Sequence, residues 1–240
     1  MEEYLSLTIN KNIIITGTSS GIGKKLTLQF LKKNNFVWGC SRNKPNINHK
    51  NYKHYIVNLE NVSSLKKWIN KVVSESNRKI DLLICNAAIF NRSLNIKENL
   101  KNIYKTINTN LSSNIILSNL ISKIMIKNQS GVIIFFSSVA SIINQEGSAT
   151  YAASKSGLET FSKILAKELK KFNIKVHTFR IIYLPSRLSS GLKISSIKSI
   201  MKKFKTNIFS SEKKIFHKIE KITEKKLNLN TVIYDKKKNY

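Results

Sequence analysis

Short apolar runs without polar interruption alternate along this chain with stretches whose apolar residues recur at helical spacing. That alternation constrains the fold more than any other feature. Residues 12–16 (Asn-Ile-Ile-Ile-Thr) read as a buried strand, and 22–32 as an amphipathic helix with Leu26, Phe30 and Leu31 on its apolar face. Strands follow over 36–40 and 54–57, then a helix over 62–76 that gathers Leu65, Trp68, Ile69 and Val72, and a strand over 81–85. A long helix is expected over 103–127, a strand over 131–136, a helix over 151–172 and a strand over 175–182. Strands that are apolar throughout must be covered on both faces, and helices between them force parallel pairing. The pattern predicts an α/β, doubly wound parallel sheet with ligands at the carboxyl ends of its strands.

The texture changes after residue 188. Ile194, Ile197, Met201, Phe204 and Ile208 recur at helical spacing, Ile215, Ile219 and Ile222 mark a further helix, and 231–234 reads as a last short strand. There is no internal repeat and no linker, so the 240 residues are expected to form one domain. Its core would span 8–188, a variable helical lid 189–226, and the last strand 231–235.

Composition excludes several classes. With 41% hydrophobic and 23% charged residues the chain is not a disordered one. It has no run of about 18 or more apolar residues, so no membrane span is expected. The acidic start Met1-Glu2-Glu3, with a strand under way by Ile13, leaves no room for a secretory signal, and a cytoplasmic location is expected. Cys40 and Cys85 have no ligand-type neighbours, which argues against a disulfide framework and against a metal site. The balance of 42 Lys plus Arg against 13 Asp plus Glu gives a net charge of +29. Only five of the basic residues are Arg, however: Arg42, Arg78, Arg92, Arg180 and Arg187. Phosphate and base recognition favours the bidentate arginine fork, whereas here lysine is spread along the whole chain beside an excess of Asn and Ile. All three residues have A- and T-rich codons, so nucleic acid is not an expected partner.

Three of the eight glycines fall within seven residues, in Thr16-Gly17-Thr18-Ser19-Ser20-Gly21-Ile22-Gly23, between the first strand and the first helix. Glycines there let the backbone turn tightly and approach a pyrophosphate, which a helix N-terminus attracts through its free N–H groups. Tyr151 and Lys155, four apart at the start of a helix, project from one face. A tyrosine hydroxyl titrates near pH 10, and a neighbouring ammonium favours its phenolate and brings it toward the working range. Ser138, at the end of the fifth strand, offers a hydroxyl to a substrate oxygen.

These motifs, with Asn86-Ala87-Ala88 after the fourth strand and Asn110 within Thr109-Asn110-Leu111, occur in the order in which the short-chain dehydrogenase/reductase family carries them. The chain resembles that family over roughly 8–188 and, within it, is most similar to 3-oxoacyl-(acyl-carrier-protein) reductases. The resemblance implies a Rossmann fold and an NAD(P)-dependent reduction of a carbonyl to an alcohol. It implies that Tyr151 donates the proton as hydride arrives from the nicotinamide, and that Lys155 holds the nicotinamide ribose and lowers the pKa of Tyr151. Ser138 would polarise the carbonyl, and Asn110 would kink its helix and hold a water that links Lys155 to solvent. The dinucleotide would lie against Gly17, Ser19, Ser20, Gly21, Ile22, Gly23, Ser41, Arg42, Asn58, Leu59, Asn86, Ala87 and Ala88, besides Tyr151 and Lys155.

Family members specific for NAD(H) carry an acidic residue at the end of the second strand. Here Ser41-Arg42 stands there, with a guanidinium able to bind a 2′-phosphate, so NADP(H) is favoured over NAD(H). Asn58 stands where most relatives have an Asp near the adenine. After the sixth strand the family's Pro-Gly is replaced by Arg180-Ile181-Ile182-Tyr183-Leu184-Pro185-Ser186, with Ser186 as the expected substitute for a nicotinamide-contacting Thr. Carrier-protein reductases show basic residues by the site mouth; Gln129 and Phe172 fall near those places, beside Lys127, Lys170 and Lys171. A small-molecule or carrier-bound carbonyl substrate is expected, a 3-oxoacyl thioester first. A sugar or nucleotide sugar for surface-polysaccharide assembly is an alternative, as is a non-catalytic dinucleotide-binding protein. The family association, as homodimer or homotetramer, would use the helices around 102–127 and 151–172.

Overall fold

The computed structural model describes residues 10–143, 145–181, 212–223 and 232–233. Seven strands form one sheet in the order β3-β2-β1-β4-β5-β6-β7, every neighbouring pair parallel. They are β1 (Asn12–Thr16), β2 (Phe36–Ser41), β3 (Tyr52–Ile56), β4 (Leu82–Cys85), β5 (Gly131–Ser138), β6 (Ile174–Ile181) and β7 (Val232–Ile233). The chain builds outward from β1 to β3, then returns to the other side of β1 with β4. The order therefore reverses between β1 and β4, where a doubly wound sheet opens a crevice beyond its carboxyl ends.

Helices cover both faces because both faces of these strands are apolar. On one face α1 (Gly21–Lys32) and α7 (Glu212–Thr223) bury Leu26, Phe30, Leu31, Ile215, Ile219 and Ile222 against Ile13, Ile15 and Ile84. On the other, α2 (Val62–Glu75), α4 (Ser113–Lys127) and α6 (Ala149–Leu169) bury Leu65, Trp68, Leu117, Ile121, Leu158 and Leu165 against Ile14, Leu83 and Ile133. Each fully buried aliphatic side chain contributes about 1.5–3 kcal/mol, so the two apolar layers fix the sheet on which the site is built.

The structure departs from the sequence pattern in its details. β3 starts two residues before the expected 54, and the last helix before β6 starts at Ala149 and closes with a 3-10 turn over Lys170–Phe172. A short helix, α5 (Ala140–Ile143), follows β5 and was not expected. The long helix expected over 103–127 is broken into α3 (Leu100–Ile107), a π-helical turn over Asn108–Ser112, and α4. The helical spacing noted over 194–208, Ser186 and the rest of the expected lid up to 211 lie outside the described residues.

Candidate active site

Thr16 ends β1 and starts the site. Its hydroxyl accepts the backbone N–H of Asn86 and of Ala87, both at 3.0 Å, which ties the loop after β4 to the end of β1. The Asn86 amide donates to the carbonyls of Thr16 (2.8 Å) and Gly17 (3.3 Å), so this side chain is a strut under the glycine turn. Gly17 and Gly21 have φ of +77° and +57°, the left-handed region in which glycine costs least. A Cβ on Gly23 would run into the Gly17 carbonyl and the Asn86 amide, so only glycine lets α1 start this close to β1. Ser20, at the N-cap, makes no side-chain cap, and the first turn of α1 holds no acidic residue. The result is an uncompensated helix N-terminus behind a backbone cradle that a side chain would fill. Both features fit a dinucleotide pyrophosphate.

Around the cradle, Ser19, Ser20 and Ile22 are partly exposed at the crevice, and Ala88 is partly buried in the loop after β4. Arg42, just beyond β2, is exposed. The neighbouring Ser41 hydroxyl is engaged within the protein, donating to the Asn43 carbonyl and accepting from His54 Nε2, both at 2.7 Å. Asn58 is exposed past β3, its Oδ1 taking the Glu60 N–H at 3.1 Å, and Leu59 beside it is buried.

Asn110 lies in the π-helical turn and is fully buried. Its side chain reads both polar groups of the Ile89 backbone and reaches Ser154 Oγ at 3.3 Å. The kink expected at Asn110 is thus a π-helical turn stitched to the loop that carries Asn86–Ala88. Its main-chain carbonyl takes the Asn114 side-chain amide at 2.7 Å.

Ser138, Tyr151 and Lys155 come together at the carboxyl end of β5. The Ala140 N–H donates to Ser138 Oγ at 3.2 Å, which leaves the serine hydroxyl proton for an oxygen on the open side, where the Tyr151 hydroxyl lies. Tyr151 hydrogen-bonds Ser138 through its side chain and lies against Phe90, ring centroids 4.8 Å apart. Lys155, 3% exposed, donates from Nζ to the Phe136 carbonyl at 2.8 Å, with Nζ 5.7 Å from the centre of the Tyr151 ring. Burial weakens the ammonium and brings its pKa down to about 8, against the opposing pull of Cys85 and Glu159. Burial also raises the Tyr151 hydroxyl, and only the Ser138 hydrogen bond acts the other way. The sequence expectation was a hydroxyl brought down by Lys155. In the structure desolvation dominates, because both groups are taken out of water together.

The sequence reading missed Phe90, Glu159 and Arg180. Phe90 stands two residues past a quoted motif, and its proximity was the available signal. Glu159 and Arg180 form a buried ion pair below Ser138, with carboxylate and guanidinium side chains 7% and 5% exposed. Gln129 and Phe172 do not stand by the mouth within this chain. They sit where α4 and α6 turn into β5 and β6, with the Asn173 amide on the Gln129 carbonyl. From there to Ser138 is the length of β5, roughly 23 Å at 3.3 Å per residue. Cys40 and Cys85 are buried free thiols, pushed well above the ordinary thiol range by desolvation. No helix among the described residues is long and apolar enough to cross a membrane.

Topology and glycine turn together define the class, a doubly wound dinucleotide-binding fold. Residues 11–191 match the family model described as short chain dehydrogenase. The chain is 32% identical over 199 residues to the 3-oxoacyl-(acyl-carrier-protein) reductase FabG of Rickettsia felis, covering 80% of each protein. To the reductase of the same name from Thermotoga maritima it is 32% identical over 176 residues, 70% of this chain and 71% of that one. Among solved structures it is similar to a 4-hydroxyisoleucine dehydrogenase complexed with NADH, with a TM-score of 0.80 at 24% identity over 89% of this chain and 90% of that one. A putative NAD(P)-dependent gluconate 5-dehydrogenase from Beutenbergia cavernae follows, with a TM-score of 0.76 at 18% identity over 90% of each. These two likenesses are of fold. The chain belongs to the short-chain dehydrogenase family, and is by that membership an NAD(P)-dependent oxidoreductase.

Proposed function

We propose that this protein uses NADPH to reduce a carbonyl to an alcohol, with a 3-oxoacyl thioester on an acidic carrier as the favoured substrate. One observation carries the reading: Tyr151 stands hydrogen-bonded to Ser138 with the Lys155 ammonium behind its ring, at the strand ends that also hold the glycine cradle. Support for the substrate comes from the names of the relatives above, and for the cofactor from the exposed guanidinium of Arg42.

A dinucleotide held at the cradle of Gly17, Gly21 and Gly23 would supply the hydride for the carbonyl carbon. Tyr151 Oη then gives its proton to the carbonyl oxygen, so that the C=O π bond is replaced by C–H and O–H. Ser138 Oγ, its lone pair occupied by the Ala140 N–H, donates to the same oxygen and orients it. Lys155, still mostly protonated near neutral pH, stabilises the tyrosinate left behind and would hold the nicotinamide ribose of a bound dinucleotide. Asn110 keeps the loop from Asn86 to Ile89 against the helix that carries Ser154 and Lys155. Phe90 walls one side of Tyr151 and excludes water from the proton transfer.

A homodimer or homotetramer in the cytoplasm fits this reading, with exposed Tyr104 on α3 and Ile164 on α6 as apolar contacts between copies. The test is calorimetric titration with NADPH and, separately, NADH, followed by turnover of 3-oxoacyl thioesters. Tight NADPH binding and thioester reduction are expected. Binding of neither dinucleotide would overturn the reading in favour of a non-catalytic descendant. NADPH binding with turnover only of keto-sugars would overturn the substrate alone.

A further inference from the structure

Glu159 lies on α6 one helical turn beyond Lys155 and is 5% exposed. Its Oε1 collects three donors, Ser137 Oγ at 2.7 Å, Ser141 Oγ at 2.8 Å and Arg180 Nε at 2.8 Å, while Oε2 pairs with the other end of the Arg180 guanidinium. Ser137 and Arg180 are register partners across β5 and β6. Ser141, on α5, also lies 2.7 Å from the Ser138 carbonyl. One carboxylate therefore joins the three segments that surround Ser138: the end of β5, the first turn of α5 and the end of β6.

Such a pair is an odd choice for stability alone. Taking two ions out of water is costly, and apolar side chains of similar volume often do as well or better. The same helix does use apolar residues at Leu158, Leu165 and Leu169. The adjoining Lys155 gives the charge a use, because a buried ammonium needs a counter-charge. Among the described residues the titratable groups that bear on Lys155 are Cys85 from β4 and Tyr151 and Glu159 from α6. Burial keeps Cys85 and Tyr151 in their neutral forms, which leaves the carboxylate as the anion. Arg180, across on β6, neutralises the far side of that carboxylate.

We propose that Glu159 is a positioning residue of the oxidoreductase site: locked by Arg180, it fixes the segments around Ser138 and presents the counter-charge that keeps Lys155 an ammonium. The role rests on the reaction proposed above. Glu159→Gln keeps an acceptor for both serines and removes the charge. Because it leaves Arg180 buried without its anion, the double variant Glu159→Gln/Arg180→Met, which removes both charges, is made beside it.

The primary readout does not depend on turnover. It is the titration of Lys155 followed by NMR on protein labelled at the lysine Cε, its resonance assigned by loss in Lys155→Met. In either variant the Lys155 midpoint is expected to fall by about one pH unit, a tenfold loss in the ratio of charged to neutral amine. The alkaline limb of kcat is expected to move with it. Ser137→Ala, which removes one hydrogen bond and no charge, should leave that midpoint in place. An unchanged midpoint in the folded variants, with only the melting temperature altered, overturns the proposal and leaves the pair a structural one. Absence of thioester turnover by the unmutated protein contradicts the proposed reaction instead, and the NMR titration still decides the role of Glu159.

Discussion

Asn110 grips the backbone of Ile89 from both sides: its Oδ1 accepts the Ile89 N–H at 2.9 Å and its Nδ2 donates to the Ile89 carbonyl at 2.8 Å. The contact spans 21 residues of sequence and joins the loop after β4 to the π-helical turn. Asn110→Ala would leave both Ile89 groups without partners, at a cost of about 2 kcal/mol or more. Asn110→Asp keeps the acceptor but sets a buried carboxylate oxygen against the Ile89 carbonyl, so its loss should be at least as large as that of the alanine variant. Denaturant melts of the two variants check the order.

The glycine cradle makes a second prediction. A methyl group at Gly23 meets the Gly17 carbonyl and the Asn86 amide, neither of which can retreat without moving β1 or its strut. Gly23→Ala should therefore cost about 1–3 kcal/mol of stability and abolish dinucleotide binding. Calorimetry at a temperature where the variant is still folded separates the two effects.

His177 on β6 is 1% exposed, and among the described residues neither of its ring nitrogens has a hydrogen-bond partner. Burial, with the nearby charge of Lys175 as a lesser cause, lowers its pKa from the ordinary 6.5 to about 4. Between those values the unfolded chain binds a proton that the folded one refuses, so stability rises with pH through the window and is lost as pH falls from 6.5 to about 4. The loss attributable to this group is about 3 kcal/mol. His177→Leu should melt higher than the parent and show a flatter dependence of melting temperature on pH over that window.

Arg42 is the exposed guanidinium beyond β2. If it receives the 2′-phosphate, Arg42→Ala should weaken NADPH binding roughly ten- to a hundredfold, the worth of a hydrogen bond to a charged group, and leave NADH binding unchanged. Parallel titrations with the two dinucleotides read the difference directly; equal weakening of both would remove Arg42 from the phosphate site.

Much of this architecture was legible in the sequence because it is written in local patterns. β1, β4 and β5 are uninterrupted apolar runs, and the apolar faces of α1 and α2 fall where the spacing of Leu26 and Phe30 or of Leu65 and Trp68 puts them. The glycine turn is legible for the same reason, since three glycines in seven residues have few other uses. The break in the long helix was legible only through the family resemblance at Asn110 and not in the apolar spacing, because the π-helical turn accompanies tertiary bonds from Asn110 to Ile89 and Ser154 that no helical periodicity encodes. Glu159 illustrates the same limit. In a helix it reads as one more solvated carboxylate, and only the arrival of Ser137 and Arg180 from two strands turns it into a buried junction. The start of β3 was missed because Tyr52 and Lys53 belong to an edge strand with partly exposed residues, where the apolar signal is weak.

Turnover by Tyr151→Phe tests the account most directly. The substitution keeps the ring against Phe90 and under the Lys155 ammonium and removes only the hydroxyl bonded to Ser138. With NADPH and a 3-oxoacyl thioester, the rate of NADPH oxidation should fall by about a hundredfold or more, the usual worth of a positioned general acid, while calorimetry shows dinucleotide affinity unchanged. Oxidation of NADPH by the variant at the parent rate would contradict the assignment of Tyr151 as the proton donor, and with it the proposed mechanism.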